Sequence, residues 1–139
     1  AEKELAGLRA AALGNVAGTL AGGAIDVAGV ALVAATAPEG TAAGDLRTLA
    51  SDVRGRLGDR PGVVALFAPA HASVPFAVAV NQGGIARGLA AGELAKAVLP
   101  LIEGRGGGKK DLAQGAGTRP DRIPEAIDAL RAALLTAAG

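Results

Sequence analysis

The sequence predicts an α/β domain of mixed topology, in which a small sheet of three to four strands carries packed helices. The chain has 139 residues, half of them apolar, which is enough for one domain with a buried core. Short apolar runs of strand length alternate with segments of helical periodicity. Only Phe67 and Phe76 are aromatic, so Ala, Val, Leu and Ile must fill the core and its layers must lie close together.

The first predicted element is an amphipathic helix over residues 2–20. Its apolar stripe is formed by Leu5, Leu8, Ala12 and Val16. Because this stripe precedes the compact part of the chain, we expect it to contact a partner helix rather than the central core. Four glycines between positions 14 and 23 weaken the second half of the helix.

The predicted sheet is built from three apolar runs. Residues 30–37 suit a central strand covered on both faces. A helix follows, with Thr41 as its N-cap and Gly58 at its end. Residues 63–68 and 74–80 predict an antiparallel hairpin, in which Pro75 places the second strand at a sheet edge or at its own start. The next four residues, 81–84, predict a turn.

Two helices are predicted in the last third of the chain. Residues 89–102 predict a helix that Pro100 kinks or loosens. Asp121 is expected to cap the final helix, whose inward face is formed by Ile123, Ile127, Leu130 and Leu134. The segment between them is expected to be a loop held between two helices, which gives the predicted order β-α-β-β-α-loop-α.

That loop, residues 104–117, is the candidate functional segment. Six of its fourteen residues are glycine, so its backbone can expose N–H groups without side-chain cover. Three cations stand beside one carboxylate and one amide, a combination that neutralises phosphate and also makes directional hydrogen bonds. Solvation of an ordinary loop explains the charges equally well, and glycine-rich stretches are often tethers. Its position between two helices favours a recognition loop.

The chemistry of common active sites is absent from the sequence. There is no cysteine, and the only histidine, His71, lies in the predicted hairpin turn without a second ligand nearby. Lys109 is followed by Lys110 instead of the Ser or Thr of a phosphate-binding Walker loop. We therefore expect no catalytic residue, no metal site and no cofactor site in this chain. Two phenylalanines are also too few for base stacking on an aromatic sheet.

A family resemblance is carried by two stretches, GGGKKDLAQGAG at 106–117 and VAVNQGGIARGLAAGEL at 78–94. Together they resemble the C-terminal, DHH-associated domain of alanyl-tRNA synthetase, called C-Ala. The resemblance covers about residues 30–135, and residues 2–20 match the end of the helical arm that precedes this domain. It therefore implies a division into an arm end, residues 1–23, and a globular domain, residues 24–139. It also fits a chain cut from a longer protein.

The resemblance implies a role in binding alanine-specific tRNA at the outer corner of its L shape, which couples aminoacylation with editing. For the full-length cytoplasmic ligase it implies ATP, Mg and Zn, and the other synthetase domains as partners, but no membrane. Related DHH phosphoesterases carry histidine where this chain has Lys109, which argues against that branch. The synthetase pattern has Arg-Pro where this chain has Lys109-Lys110, so a cation is kept and rigidity is lost.

We predict a tRNA contact made by bare backbone, cations and two hydrogen-bonding side chains. Glycine backbone meets the sugar–phosphate surface, the cations neutralise phosphates, and Asp111 or Gln114 bonds a 2′-hydroxyl or a base edge. Bracing of the loop by Asp111 or Gln114 is an equally good hypothesis. The predicted residues are Arg87, Arg105, Gly106, Gly107, Gly108, Lys109, Lys110, Asp111 and Gln114.

Two other functions stay open at this point. The apolar stripe of the first helix, or a sheet edge at residues 74–80, could pair with a second copy and make the chain a dimerisation module. The chain could also be the tail of a free-standing alanyl-tRNA editing protein.

Overall fold

A six-stranded mixed sheet forms the centre of the protein in the computed structural model, which describes residues 17–27, 29–37, 41, 43–58, 60–69 and 73–138. The strands lie in the order β1-β2-β3-β4-β6-β5. Only the β2–β3 pair is parallel, and the other four pairs are antiparallel. The strands are β1 Ile25–Val27, β2 Val30–Thr36, β3 Gly62–Phe67, β4 Val74–Val80, β5 Arg105–Gly108 and β6 Leu112–Gly117. The predicted mixed sheet is confirmed, but it has more strands than the three to four predicted.

Helices cover both faces of this sheet. Residues 17–22 are the described part of the first helix, α1. The others are α2 Ala43–Arg56, α3 Gln82–Ala86, α4 Ala91–Val98 and α5 Ile123–Ala138, with a 3-10 turn at Pro120–Arg122 before α5. Helix α2 packs on one face, while α4 and α5 pack together on the other. We call these the α2 face and the α4/α5 face.

The interior strands are buried on both faces, which explains their continuous apolar sequences. Along β3, Val63, Ala65 and Phe67 face the α4/α5 side, whereas Val64 and Leu66 face α2. Every residue of β3 is buried. The predicted central strand and the predicted β3–β4 hairpin are both confirmed, the latter with Val63 opposite Val80.

Strand β4 lies inside the sheet, between β3 and β6. Pro75 is its second residue, so the start of the strand, and not a sheet edge, accommodates the proline. The hypothesis that residues 74–80 form an edge for pairing with a second copy is therefore wrong, because both sides of β4 already carry strands.

Three other local predictions were wrong. Residues 81–84 start a short helix, α3, instead of a turn. The glycine-rich segment is a β-hairpin, β5–β6, instead of a loop, because β6 pairs with β4 and extends the sheet. Helix α4 ends at Val98, before Pro100, which is shorter than the predicted 89–102. Residues 2–16 and His71 lie outside the described residues.

The end of the chain follows the predicted pattern with one change. Ile123, Leu130 and Leu134 are buried and Ile127 packs against the same cluster, as the helical spacing predicted. Asp121 lies inside the 3-10 turn instead of directly before α5, and its carboxylate accepts hydrogen bonds from Arg119 at 3.1 and 3.0 Å. That hydrogen bond lowers the pKa of Asp121 below its ordinary value, so both partners stay charged near neutral pH.

Asn81 joins three segments at one end of the sheet. Its side-chain oxygen accepts from the backbone N–H of Gly62 at 2.9 Å and of Gly84 at 2.8 Å, and it thereby caps α3. Its side-chain nitrogen donates to the carbonyl oxygen of Arg60. One amide thus connects the start of β3, the end of β4 and the start of α3.

Replacing Asn81 should therefore be costly. We expect Asn81→Ala to lower the free energy of unfolding by about 2–4 kcal/mol, because it leaves several partly buried polar groups without a partner. Urea unfolding monitored by circular dichroism measures this change. Gln82→Ala, at the exposed neighbouring position, is the control and should stay within about 0.5 kcal/mol of the unmodified chain. Equal stability of the two variants would contradict the role of Asn81.

Candidate nucleic-acid interface

The β5–β6 hairpin forms one edge of the sheet, and β5 is its outermost strand. All four residues of β5 are exposed. Gly107 lies opposite Gln114, and Arg105 lies opposite Ala116. Lys109, Lys110 and Asp111 form the exposed tip between the two strands. The predicted recognition segment is therefore an ordered edge of the sheet that projects charged side chains from its tip.

The backbone of this tip is held from inside the protein. The first N–H groups of α4, on Ala91 and Gly92, donate to the carbonyl oxygens of Lys110 and Lys109 at 2.9 and 3.0 Å. The carbonyl oxygen of Asp111 accepts from the N–H of Val80 at 2.9 Å and from the guanidinium of Arg54 at 3.0 Å. Three successive carbonyl groups thus point inward.

The glycines of β5 differ in what the fold requires of them. A Cβ atom added to Gly106 would lie 2.5 Å from the carbonyl oxygen of Gln114, and one added to Gly108 would lie 2.5 Å from the Cα of Ala113. Both positions are thus too close to β6 for any side chain. At Gly107 an added Cβ would meet no atom within 4 Å. The fold therefore requires glycine at 106 and 108 but not at 107.

The edge of the hairpin also offers backbone hydrogen-bonding groups. The N–H of Lys109 donates to the carbonyl oxygen of Leu112 at 2.9 Å, which fixes the phase of the antiparallel ladder. Along such a ladder, residues whose backbone groups bond to the opposite strand alternate with residues whose backbone groups point away from it. Lys109 is of the first kind, so the N–H and carbonyl groups of Gly106 and Gly108 point away from β6. The groups of Gly106 lie on the outer edge of the sheet, whereas the carbonyl oxygen of Gly108 lies beside Gly92 of α4.

Side chains alternate between the two faces of the sheet, and this places the charged groups. Leu112 packs against the α2 cluster, so Gln114 and its opposite neighbour Gly107 belong to the α2 face. Arg105 shares that face, since it is two residues from Gly107. Helix α2 covers β3 and β4 but leaves this end of its face open. Arg47 of α2 borders the opening.

Apart from Arg60 and Arg87, the cations of the described residues divide into two groups. Those away from the hairpin form ion pairs within 3.7 Å: Arg56 with Asp52, Lys96 with Glu93, Arg119 with Asp121 and Glu103, Arg122 with Glu125, and Arg131 with Asp128. Those at or near the hairpin form no such pair in the described part of the chain: Arg47, Arg54, Arg105, Lys109 and Lys110. Their charge is therefore available to an anionic ligand.

The structure brings most of the predicted residues together. Residues 105–111 and Gln114 all belong to the hairpin, and all of them are exposed. Arg87 does not join them: its guanidinium lies beside Gly29, in the turn between β1 and β2. That turn is three strands from β6, or about 14 Å at the usual strand spacing. Arg87 thus lies at the margin of the surface that the hairpin residues form.

Arg47 and Arg54 were not among the residues predicted from the sequence. They are seven residues apart, so they share one face of α2, and this spacing was the only available signal. Arg54 contacts Asp111, a residue 57 positions later in the chain. No local pattern predicts a contact over that distance.

Two further observations concern sites of other kinds. Within the described ranges, no three His, Cys, Asp or Glu side chains come together in a way that could hold a metal ion. None of the helices in the described part of the chain has the length and hydrophobicity that a bilayer-spanning segment needs.

Comparison with known families agrees with this fold. Residues 27–136 match the family model described as the DHHA1 domain. The chain belongs to the DHHA1 domain family. The predicted membership in the DHH-associated type is therefore confirmed, and the match begins at Val27, the last residue of β1.

Relatives of this DHHA1 domain share about half of its residues. The chain is 52% identical over 139 residues to an alanine–tRNA ligase of Nocardia farcinica, and 52% identical over 134 residues to one of Saccharopolyspora erythraea. These alignments cover 100% and 96% of the chain but 16% and 15% of the relatives. The chain thus spans about a sixth of the length of the curated relatives it matches.

Solved structures give the same result for the DHHA1 fold. The C-Ala domain of Aquifex aeolicus alanyl-tRNA synthetase superposes with a TM-score of 0.72 at 30% identity, covering 81% of this chain and 97% of that one. RecJ of Thermus thermophilus superposes with a TM-score of 0.65 at 18% identity, covering 96% of this chain and 19% of that one. The first match supports the C-Ala resemblance, and the second shows a shared fold alone.

Two glycines of one strand provide a matched test of the hairpin. We expect Gly108→Ala to lower the free energy of unfolding by about 1–3 kcal/mol, because its methyl group would overlap the backbone of β6. Gly107→Ala should leave stability unchanged or raise it by about 0.5 kcal/mol, since the methyl group enters open space. Denaturant unfolding of both variants measures the difference. A Gly107→Ala loss as large as that of Gly108→Ala would contradict the described register.

Proposed function

We propose that this chain is the C-terminal tRNA-binding domain of an alanine–tRNA ligase. It binds the outer corner of alanine-specific tRNA and so couples aminoacylation with editing. The observation that carries the proposal is the group of unpaired cations around an anchored, glycine-lined sheet edge. Alignment along the whole chain with ligases about six times its length supports a ligase over a free-standing editing protein.

The contact itself uses the hairpin. Backbone groups of Gly106, Gly107 and Gly108 approach the sugar–phosphate surface, while Arg105, Lys109 and Lys110 neutralise phosphate charge. Asp111 or Gln114 bonds a 2′-hydroxyl or a base edge, and Arg87 extends the patch at its margin. Because the inward carbonyl bonds hold the tip, its cations are presented with little loss of backbone entropy on binding.

The proposal also places the chain within a larger protein. Residues 1–23 form the end of a helical arm, and residues 24–139 form the globular domain. The helix at residues 17–22 and the start of β1 at Ile25 support this boundary. ATP, Mg and Zn serve the other domains of the cytoplasmic ligase, which are partners of this one together with tRNA.

The hairpin cations can be tested directly. We expect Lys109→Ala combined with Lys110→Ala to weaken binding of an alanine tRNA transcript about tenfold at moderate salt, as two phosphate contacts are lost. The slope of log K against log salt should flatten by about 1.5. Fluorescence anisotropy across a salt series measures both quantities.

The matched control for this test is Lys96→Ala, which removes an exposed cation that pairs with Glu93 on α4. It should leave affinity and slope unchanged. A minihelix that has the acceptor stem but lacks the folded corner should bind the unmodified chain weakly. Unchanged affinity and slope in the double variant would end the assignment of the hairpin cations.

Self-association is a second candidate function, and two exposed apolar side chains favour it. Ile25 and Leu135 are each 48% exposed, and a cleft of about 190 Å³ beside Ile25 is lined by α1, β2 and α5 residues. If the first helix pairs with a second copy, the chain should sediment as a dimer, and removal of residues 1–20 should give a monomer. Sedimentation velocity at several concentrations distinguishes this from a monomeric RNA-binding domain.

A further inference from the structure

The open end of the α2 face contains a groove that adjoins the hairpin tip. It has a volume of about 330 Å³ and lies between the first turns of α2 and the β5–β6 hairpin. Arg47 borders it on the helix side, Gly107 and Gln114 border it on the strand side, and Leu112 lies at its base. The cation Lys109 and the carboxylate Asp111 border it at the tip. None of the site residues predicted from the sequence lies on the helix side of this groove.

Gly107 is the first reason to regard the groove as a binding site. A glycine inside a strand weakens the strand and often marks close approach of another molecule. The two neighbouring glycines are explained by contact with β6, but Gly107 is not, since its Cβ position is open. That open position faces the groove. A ligand that comes within contact distance of the backbone accounts for the missing side chain.

Arg47 is the second reason. Its side chain is exposed, and it forms no ion pair or hydrogen bond among the residues that the structure describes. On the same helix, Arg56 pairs with Asp52 at 3.1 Å. Arg54, two turns from Arg47, is already engaged with the Asp111 carbonyl. Arg47 is thus the cation of α2 that remains available above the groove.

Gln114 completes the site. It is exposed on the groove side of β6 and can both donate and accept a hydrogen bond. A guanidinium, an amide and an uncovered strand backbone are the groups that bind a phosphate oxygen and its ribose.

We propose that this groove binds one phosphodiester group of the RNA. Arg47 neutralises the phosphate, and Gln114 forms a hydrogen bond with the phosphate or its ribose. Gly107 has no side chain and therefore leaves room for the phosphodiester in the groove. This inference rests on the proposed function and deepens it. The RNA then lies across the open α2 face and contacts α2, instead of touching the hairpin tip alone. The α4/α5 face makes no contact.

The test uses the whole chain, an alanine tRNA transcript and a double-mutant cycle. Arg47→Ala should weaken binding about threefold to tenfold and flatten the salt slope by about 1, because one phosphate contact is lost. Gly107→Val should weaken binding by a similar factor, because its side chain fills the groove. The combined variant should lose little more than either single variant, since both changes remove the same contact.

Variants that separate charge from shape complete the test. Arg47→Lys should keep the salt slope of the unmodified chain, because the charge remains. It should bind better than Arg47→Ala but less tightly than the unmodified chain, because lysine lacks the planar fork of the guanidinium. Urea unfolding should show Gly107→Val to be at least as stable as the unmodified chain, since valine favours strands and has open space there. Lys96→Ala again serves as the charge control.

The outcomes distinguish this inference from the proposed function. If the Lys109 and Lys110 double variant loses affinity while Arg47→Ala and Gly107→Val bind normally, the groove is not a binding site and the contact at the hairpin tip stands. If the losses of affinity in Arg47→Ala and Gly107→Val add up in the combined variant, the two residues do not contact the same phosphate and this inference is overturned. If the unmodified chain fails to bind tRNA, both proposals fail together.

Discussion

The candidate interface depends on the inward hydrogen bonding of the hairpin tip. The carbonyl groups of Lys109, Lys110 and Asp111 are bonded by α4, β4 and Arg54 of α2, so elements from both faces of the sheet hold one short turn. An exposed turn with several glycines nearby would otherwise lose much backbone entropy on binding. Because the carbonyls are turned inward, the three side chains of the tip are exposed together. A rigid turn thus presents two cations and one carboxylate.

Glycine serves two different purposes in this hairpin. At Gly106 and Gly108 it permits β5 to approach β6, because any Cβ atom would overlap the neighbouring strand. At Gly107 no such contact exists, and the glycine leaves the α2 face uncovered. A strand of ordinary composition could form neither the close pair nor the open groove. The same composition that suggested a flexible loop therefore builds an ordered edge. Glycine does not favour strands, but β5 pairs with β6 and β6 pairs with β4, and these backbone hydrogen bonds order the segment.

The parts of the fold that could be predicted from the sequence are those that burial of apolar side chains stabilises. Strands β2 to β4 were predictable because they are buried on both faces and thus continuous in apolar residues. Strands β5 and β6 were not, since LAQGAG and RGGG carry neither alternation nor strand propensity, and their order comes from pairing with β4. The hairpin residues of the site were found from glycine and charge. Arg47 and Arg54 were not, because only the packing of α2 beside a segment some sixty residues later brings them there.

Asp111 shows how the anchored turn affects the choice of ligand. One hypothesis from sequence was that its carboxylate braces the loop, but its carbonyl group does so, accepting from Val80 and Arg54. The exposed carboxylate has no hydrogen bond to any residue that the structure describes, although it stands among cations. A carboxylate repels phosphate and accepts only from a donor, and the 2′-hydroxyl of ribose is the donor that distinguishes RNA from DNA. Under the proposed function, the cations supply affinity for any nucleic acid, and Asp111 shifts the preference towards RNA.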